Sequence, residues 1–301
     1  MSIRSSICAV ALLLLAQPGS ATTKVVATTA PLAALVQEIA NPFVEVVALL
    51  EPHEDAHAVT PRPAMVAALN QADLLVEVGL GLEATWLPTV KAQAKNTKLA
   101  AGGRGILDAS TLIEPLEVPV AGGPAAGNHA AGNPHYLGEA ARAAKVAVGI
   151  AERLAELDPA VAAKVRERAA QLARKLEEKA RVSHAAMKRT VPVERRRVAV
   201  YHASFAYLGA ALGVEQVAVA EPSPGAALDA AASAALVERI KRSGAVALVI
   251  DESMPRKQAR DLAAAAGVRL AVLPGGPRLV VGDTYLTYIE RTISAVSAAV
   301  K

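Results

Sequence analysis

The stretch DPAVAAKVRERAAQLARKLEEKARVSHAAMKR, residues 158–189, decides how the rest of the chain is organised. It contains no glycine, and Asp158-Pro159 offers an N-cap acceptor followed by proline at the first helical position. Apolar side chains recur every three to four residues, at Val161, Val165, Ala169, Leu172 and Leu176. Pro192 ends the pattern, because a residue preceding proline is pushed out of the helical region. The stretch predicts one long amphipathic helix, and its Ala-rich stripe is too short for a sustained coiled-coil seam.

The first 21 residues have the pattern of an export signal. Arg4 gives a positive start, residues 7–16 are apolar, and Gly19-Ser20-Ala21 offers a small-residue cleavage site. No later stretch has the roughly 18 uncharged apolar residues of a membrane-spanning helix. We therefore expect an exported chain that is not embedded in the membrane. The only cysteine, Cys8, leaves with the signal, so the mature chain has no disulfide and no thiolate ligand.

Composition narrows the class of protein. The chain has 301 residues and 53% hydrophobic residues, enough for two domains with cores of their own. Aromatic residues make up only 3%, which argues against a surface that stacks bases or sugars. The net charge of +4 is mild, and its densest basic run, Arg195-Arg196-Arg197, is read as a solvated loop. We expect no nucleic acid partner.

Strand and helix patterns alternate on both sides of the long helix. Residues 44–50 are apolar apart from Glu45, and the run predicts a strand buried on both faces of a parallel sheet. A helix is expected at residues 83–94, and the alternation restarts at residue 197. The predicted fold class is α/β, with two lobes, each a mostly parallel sheet flanked by helices, joined by one long helix. The predicted boundaries are 1–21 for the removed signal peptide, 22–157 for the N-terminal lobe, 158–191 for the connecting helix and 192–301 for the C-terminal lobe.

The histidines are the strongest functional signal. There are six in the chain, and His57 and His202 follow predicted strands, where open α/β sheets bind ligands. His135 lies at a loop-to-helix junction. Imidazole is the commonest protein ligand for borderline divalent metals, and a site without thiolates must be filled by His and carboxylate. We therefore predict that His57, His135 and His202 converge in a cleft between the lobes.

A carboxylate from the second lobe would complete a tetrahedral metal site. Asp283 is the first choice, with Glu252 and Glu221 as alternatives and water as a further possibility. His53, next to the first predicted ligand, is read as a surface loop residue. His129, in the Gly/Ala-rich segment 121–132, is left without a role.

Several motifs in order along the chain resemble one family, the zinc/manganese group of periplasmic solute-binding proteins of ABC transporters. The motifs are Asp55-Ala56-His57 with Pro61, Asn133-Pro134-His135-Tyr136, Tyr201-His202-Ala203-Ser204-Phe205-Ala206-Tyr207, Glu221-Pro222-Ser223-Pro224-Gly225, and Leu273-Pro274 with Gly282-Asp283-Thr284-Tyr285. The resemblance implies two α/β lobes joined by a rigid helix, one metal bound between them, and delivery to an inner-membrane ABC permease.

Three departures from the family pattern stand out. Ala56 replaces the usual proline before the first histidine. The long His-rich insertion of many zinc-binding members is reduced to a segment that retains only His129. Pro274 and Gly275 occupy the region where many members carry an aspartate after the last strand, so the fourth ligand is the least determined part of the site.

The ligand type favours zinc over manganese as the cargo. Mn²⁺ prefers oxygen donors, and a site with three imidazoles and one carboxylate offers few of them. The resulting hypothesis is a monomeric metal-binding protein for zinc transport, not an enzyme, with an accessory zinc chaperone as a candidate partner. One alternative is an exported zinc hydrolase with Glu252 as general base, although HExxH is absent. The other alternative is a protein that binds haem or a metal chelate. The low aromatic content of 3% argues against it.

Overall fold

The computed structural model describes residues 22–117, 129, 131–221, 228–279 and 282–301. The predicted signal peptide, residues 1–21, and most of segment 121–132 lie outside the described residues. Within the described chain, no helix is both long enough and apolar enough to cross a membrane.

The first lobe is built on a parallel four-stranded sheet with helices on its faces. In chain order its elements are β1 (Thr23–Ala27), α1 (Ala30–Ala40), β2 (Val44–Ala48), α2 (Pro63–Gln71), β3 (Leu74–Glu77), α3 (Leu87–Ala94) and β4 (Ile106–Asp108). The strand order is β2-β1-β3-β4, and every pairing is parallel. The apolar strands β1 and β3 lie in the middle, where both faces are covered by helices.

The prediction that the apolar run at residues 44–50 is buried on both faces is wrong. The strand spans Val44–Ala48 and forms an edge of the sheet, with β1 as its neighbour. Glu45 is exposed, and Val47 keeps 37% of its surface accessible. An apolar run reports β propensity, whereas the position of a strand in the sheet follows from crossover order, which the run does not encode.

Two further elements differ from the sequence-based expectation. The helix expected from residue 83 begins at Leu87, with Pro88 in its first turn. Glu83 is instead buried in the preceding turns, where its carboxylate accepts hydrogen bonds from the backbone N–H groups of Val78 and Gly79. Strand β4 was not expected, because three residues are too short to show a period-2 pattern.

The second lobe repeats the strand order of the first. In the chain, helices α4 (Ala140–Leu157) and α5 (Ala162–Thr190) come between the two sheets. The second lobe then contains β5 (Arg197–Val200), α6 (Ala206–Leu212), β6 (Glu215–Val219), α7 (Ala230–Ser243), β7 (Ala247–Asp251), α8 (Arg256–Ala266) and β8 (Arg269–Leu273). The last helix is α9 (Tyr285–Val300). The order β6-β5-β7-β8 is again entirely parallel. The predicted fold class is confirmed.

The long helix is α5, and it begins four residues later than expected. The backbone N–H of Asp158 still donates to Leu154 at the end of α4, while the Asp158 side chain accepts from Ala160. Asp158 therefore ends one helix rather than starting the next, and the chain turns back before Ala162. Helices α4 and α5 pack side by side, with Arg166 of α5 paired to Glu152 of α4 at 2.7 Å.

Two helices contribute to the cores of both lobes. In α5, Val165 and Leu176 belong to the core around the first sheet, and Met187 belongs to the core around the second. In α9, Tyr285 packs in the first core and Val296 in the second. The sequence predicts only the first of these links. Two continuous helices through both cores restrain the relative movement of the lobes more than one would.

Candidate metal centre

Three of the predicted ligands come together between the lobes. His57, His135 and His202 each offer a ring nitrogen, and these nitrogens lie within 4.8 Å of one another. The residues come from the loop after β2, the turn before α4 and the end of β5, so segments far apart in sequence meet at one point. They line a cleft with a volume of about 150 Å³, together with Asp251.

His57 is held by its own loop. The Asp55 carboxylate accepts from the backbone N–H of His57 at 2.9 Å and contacts ring Nδ1 at 2.8 Å. The indole N–H of Trp86 and the hydroxyl of Thr85 donate to the carbonyls of Ala56 and His57. Burial raises the pKa of Asp55, but the hydrogen bonds from His57 outweigh it, and the net pKa is lowered. An ionised Asp55 keeps the proton on Nδ1, which leaves the Nε2 lone pair facing the cleft.

His202 is arranged in the same way by a more distant carboxylate. Its Nδ1 lies 2.5 Å from Oε2 of Glu221, which follows β6, and only 4% of the residue is exposed. Burial lowers the pKa of His202, yet Glu221, Asp251 and Asp55 together raise it above its ordinary value. The Nε2 atom again faces the centre of the cleft.

His135 is positioned by a network that spans the two lobes. Its backbone N–H donates to the side chain of Asn133 at 2.9 Å, and the Asn133 amide donates to the carbonyl of Ala203 in the second lobe at 2.6 Å. The hydroxyl of Tyr207 donates to the Asn133 carbonyl. Burial, followed by the neighbouring His202, holds the pKa of His135 well below its usual range, so the ring is neutral at neutral pH.

The nitrogens of this cluster face one another at short range. Nε2 of His202 lies 2.9 Å from Nε2 of His135. Because Nδ1–H of the neutral His202 ring donates to the Glu221 carboxylate, Nε2 carries a lone pair, and two facing lone pairs repel unless a proton or a metal ion lies between them. The donor set therefore fits a borderline divalent cation.

The carboxylates expected as fourth ligand are held elsewhere. Asp283 pairs with Arg291 at 2.8 Å and accepts from the backbone of Arg278, which lowers its pKa. Glu252 pairs with Arg278 at 3.0 Å. Glu221 contacts Nδ1 of His202, on the side of the ring opposite Nε2. Among the described residues, the group that converges consists of the three histidines and includes none of these three acids.

Two residues that the sequence analysis did not select lie in or beside the cleft. Asp251 ends β7, is partly buried, and accepts from the hydroxyl of Ser204 at 2.5 Å; burial raises its pKa. The rule of strand carboxyl ends points to this turn, where the sequence indicates the neighbouring Glu252. His129 brings its Nε2 to 3.3 Å from Nε2 of His57, and burial lowers its pKa to about 4.

The two remaining histidines lie outside the cluster. His53 is exposed in the loop before His57, as expected of a surface residue. His184 on α5 is not simply solvated, since its Nδ1 lies 2.8 Å from the carbonyl of Ala211 in α6. That contact ties the long helix to the second lobe.

Comparison with protein families gives one match over nearly the whole chain. The model of ZnuA, the periplasmic component A of a zinc-uptake complex, matches residues 25–299. No curated protein sequence matches the chain at a significant level.

Solved structures with the same architecture include three of particular relevance. A crystal structure of ZnuA aligns with a TM-score of 0.77 at 22% identity, covering 93% of this chain and 100% of the other. The periplasmic zinc-binding protein TroA from Treponema pallidum aligns at 0.75 with 23% identity, covering 93% and 99%. The manganese-bound periplasmic metal-binding protein from Candidatus Liberibacter asiaticus aligns at 0.73 with 20% identity, covering 93% and 100%. At these identities the likeness shows a shared fold.

Proposed function

The chain belongs to the ZnuA family of periplasmic zinc-uptake components, and from this premise we propose that it captures Zn²⁺ in the cleft between its lobes. Proteins of this family are metal-binding partners of ABC permeases. The proposed cargo ligands are His57, His135 and His202, and the proposed destination of the metal is an inner-membrane permease. The single observation that carries the proposal is the convergence of three ring nitrogens, within 4.8 Å, from three distant segments.

Donor chemistry supports zinc as the cargo. The three imidazoles are soft enough for Zn²⁺, whereas Mn²⁺ favours carboxylate, carbonyl and water oxygens. Asp55 and Glu221 orient two of the rings and raise the basicity of their free nitrogens, as outer partners of zinc-bound histidines do. Among the similar structures, TroA is described as zinc-binding and the Liberibacter protein as manganese-bound, so fold likeness alone does not choose between the two metals.

Capture follows from ligands in both lobes. His57 precedes α2 of the first lobe and His202 follows β5 of the second, so a bound ion favours the arrangement in which the lobes are close. Because α5 and α9 both pass through both cores, we expect a small closure. We also expect the chain to carry the signal peptide at residues 1–21 that would export it to the periplasm, and to act as a monomer.

The hydrolase alternative has no comparable support. It requires a general base beside an open metal position, and the base that the sequence suggested, Glu252, is engaged by Arg278 at 3.0 Å and Arg256 at 3.6 Å. No observation on the described residues favours this alternative.

The test is zinc affinity, measured by competition with a chelator of known strength. His57→Ala, His135→Ala and His202→Ala are each expected to weaken zinc binding by about 100-fold or more, because one of the ligands that share the binding free energy is lost. His184→Ala is the control, since that ring contacts Ala211 and not the cleft. Wild-type affinity in all three cleft variants would refute the proposal. Elemental analysis of protein taken from its own periplasm, without added metal, distinguishes zinc from manganese.

A further inference from the structure

His129 belongs to the shortened loop before Asn133, and its ring lies beside the cleft. Its Nε2 lies 3.3 Å from Nε2 of His57, and the two ring centroids are 5.2 Å apart. Only 9% of the residue is exposed. Burial lowers the pKa of the ring most, and the backbone of Leu80 in the first lobe raises it in part.

We propose that His129 supplies the fourth nitrogen of the metal site, so that four imidazoles hold the cargo. This inference rests on the proposed function, because it concerns the same ion. It assigns a ligand that replaces the expected carboxylate of Asp283.

The distance between the His57 and His129 nitrogens matches one edge of a tetrahedral zinc site. With Zn–N bonds of about 2.0–2.1 Å, two ligands of a tetrahedron are separated by about 3.3–3.4 Å. The Nε2 atoms of His57 and His129 are 3.3 Å apart. Those of His135 and His202 are 2.9 Å apart, so this pair must separate by a few tenths of an ångström. The two pairs would form opposite edges of one tetrahedron around a single ion. His129 lies outside the group of three whose nitrogens are already within 4.8 Å of one another, and its ring centroid is 6.2 Å from that of His135, so the proposed site requires the two pairs to move together when the ion binds.

Two of the rings have a carboxylate at the nitrogen that faces away from the cleft. Asp55 contacts Nδ1 of His57, and Glu221 contacts Nδ1 of His202. In metal sites, a hydrogen bond at the second ring nitrogen fixes both the tautomer and the direction of the ligand lone pair. The buried imidazole of His129 lies beside the Nε2 atom of a ring fixed in this way, an arrangement that suits a shared cation.

One carboxylate competes with His129 for the fourth position. Asp251 lines the same cleft and is partly buried, but its oxygen accepts a hydrogen bond from the Ser204 hydroxyl at 2.5 Å. Among the described residues, Asp251 makes no contact with a ring nitrogen as close as the 3.3 Å between His129 and His57. We therefore place Asp251 outside the ligand set, where its charge favours a bound cation without a bond to it.

A set of four nitrogens has a consequence for selectivity. Zn²⁺ accepts four imidazoles, whereas Mn²⁺ binds weakly where oxygen donors are missing. His129 is thus expected to determine which metal the site prefers. An oxygen donor at this position, as in His129→Asp, should move the preference of the site towards Mn²⁺ while keeping four ligands.

The experiment compares four full-length mature proteins: wild type, His129→Ala, His129→Asp and Asp251→Asn. Zinc affinity is measured by chelator competition, and X-ray absorption at the zinc edge counts the imidazoles around the ion. We expect four imidazoles in wild type and Asp251→Asn, and three in both His129 variants. Zinc affinity should fall by about 100-fold in His129→Ala, and the ratio of Zn²⁺ to Mn²⁺ affinity should fall in His129→Asp.

The outcomes separate this inference from the proposed function. If wild type binds zinc, His57→Ala loses it, and His129→Ala keeps both wild-type affinity and the wild-type imidazole count, the inference is overturned and the proposed function stands. Three imidazoles in wild type, with a fourth ligand that disappears in Asp251→Asn, would overturn it as well. If wild type binds no zinc, the proposed function fails and this inference with it.

Discussion

The two lobes share one strand order but contribute unequally to the candidate metal centre. The orders β2-β1-β3-β4 and β6-β5-β7-β8 are the same pattern, all parallel. The first lobe and the segment after it provide His57, His129 and His135, whereas the second provides His202. The sheets therefore act as equivalent platforms, and the loops beyond their strands make the difference, as expected for open α/β sheets.

Two acidic residues, Glu83 in the first lobe and Asp251 in the second, show the same contrast. Glu83 follows β3 and is enclosed by the Thr28 hydroxyl, at 2.6 Å, and by two backbone N–H groups. Asp251 ends β7, the strand at the equivalent position, and lines the cleft, where its side chain accepts from the Ser204 hydroxyl. One carboxylate holds the turns of its own lobe together, and the other adds negative potential beside the proposed ion.

The largest expected effect tests whether the lobes form one cooperative unit. Leu176 is buried in the first core and Met187 in the second, both on α5. Leu176→Ala and Met187→Ala should each lower the free energy of unfolding by about 2–5 kcal/mol, because each leaves a cavity. Both should lower the midpoint of one thermal transition in calorimetry.

The control for this pair is Val182→Ala, at a position on the same helix that is 46% exposed. It should change stability by no more than about 0.5 kcal/mol. Two separate thermal transitions, each shifted by only one of the two variants, would show that the lobes unfold independently. That result would contradict the prediction of a single cooperative unit.

The second prediction concerns Glu83 and the pH dependence of stability. Burial raises its pKa from 4.5 to about 7 in the folded protein. The folded state therefore holds a proton that the unfolded state releases between these values, so this group's contribution is complete below pH 4.5 and is lost as pH rises towards 7. The loss amounts to about 3 kcal/mol.

Chemical denaturation of wild type and Glu83→Gln at pH 5 and pH 8 measures that contribution. In Glu83→Gln, the free energy of unfolding should not show the decrease with rising pH that Glu83 causes. The difference in unfolding free energy between the two proteins should therefore change between pH 5 and pH 8. A constant difference from pH 5 to pH 8 would contradict the prediction. The same comparison with Asp251→Asn shows whether the cleft carboxylate behaves differently.

The third prediction compares the carboxylates that orient the rings. Asp55→Asn and Glu221→Gln should each weaken zinc binding by about 10- to 100-fold, because the outer partner of a ligating histidine is lost. Asp55 is two residues from His57, whereas Glu221 is 19 residues from His202. Similar losses of zinc affinity in the two variants would mean that the near and the distant carboxylate orient their histidines equally well. Unchanged affinity in both variants would argue against ligation through Nε2.

Glu221→Gln should also alter the pH profile of zinc binding. In the metal-free protein, acidic neighbours hold the pKa of His202 above its ordinary value of 6.5, and zinc must displace that proton. Affinity should therefore rise with pH until His202 is neutral. Removal of the Glu221 charge lowers this pKa, so the fall in affinity should move to lower pH. Titrations with zinc from pH 5 to pH 8 check the shift.

The smallest effect is expected at the carboxylates that the sequence favoured. Asp283→Asn and Glu252→Gln should leave zinc affinity within about twofold, because Arg291 and Arg278 hold these groups at surface ion pairs of modest strength. A loss as large as that of His202→Ala, measured in the same competition assay, would restore Asp283 or Glu252 as a ligand.

The sequence by itself determined the α/β class, the long helix, the family and the three histidines that converge. These rest on local signals, namely periodicity, capping residues and motif order, which neighbouring residues encode directly. The edge position of β2, the short β4 and the passage of α9 through both cores were decided only in the tertiary structure. So were the arginine partners of Asp283 and the approach of His129 to His57. Each of these depends on the distance between atoms remote along the chain, and such distances are set by packing and crossover order rather than by any pattern within a short window of sequence.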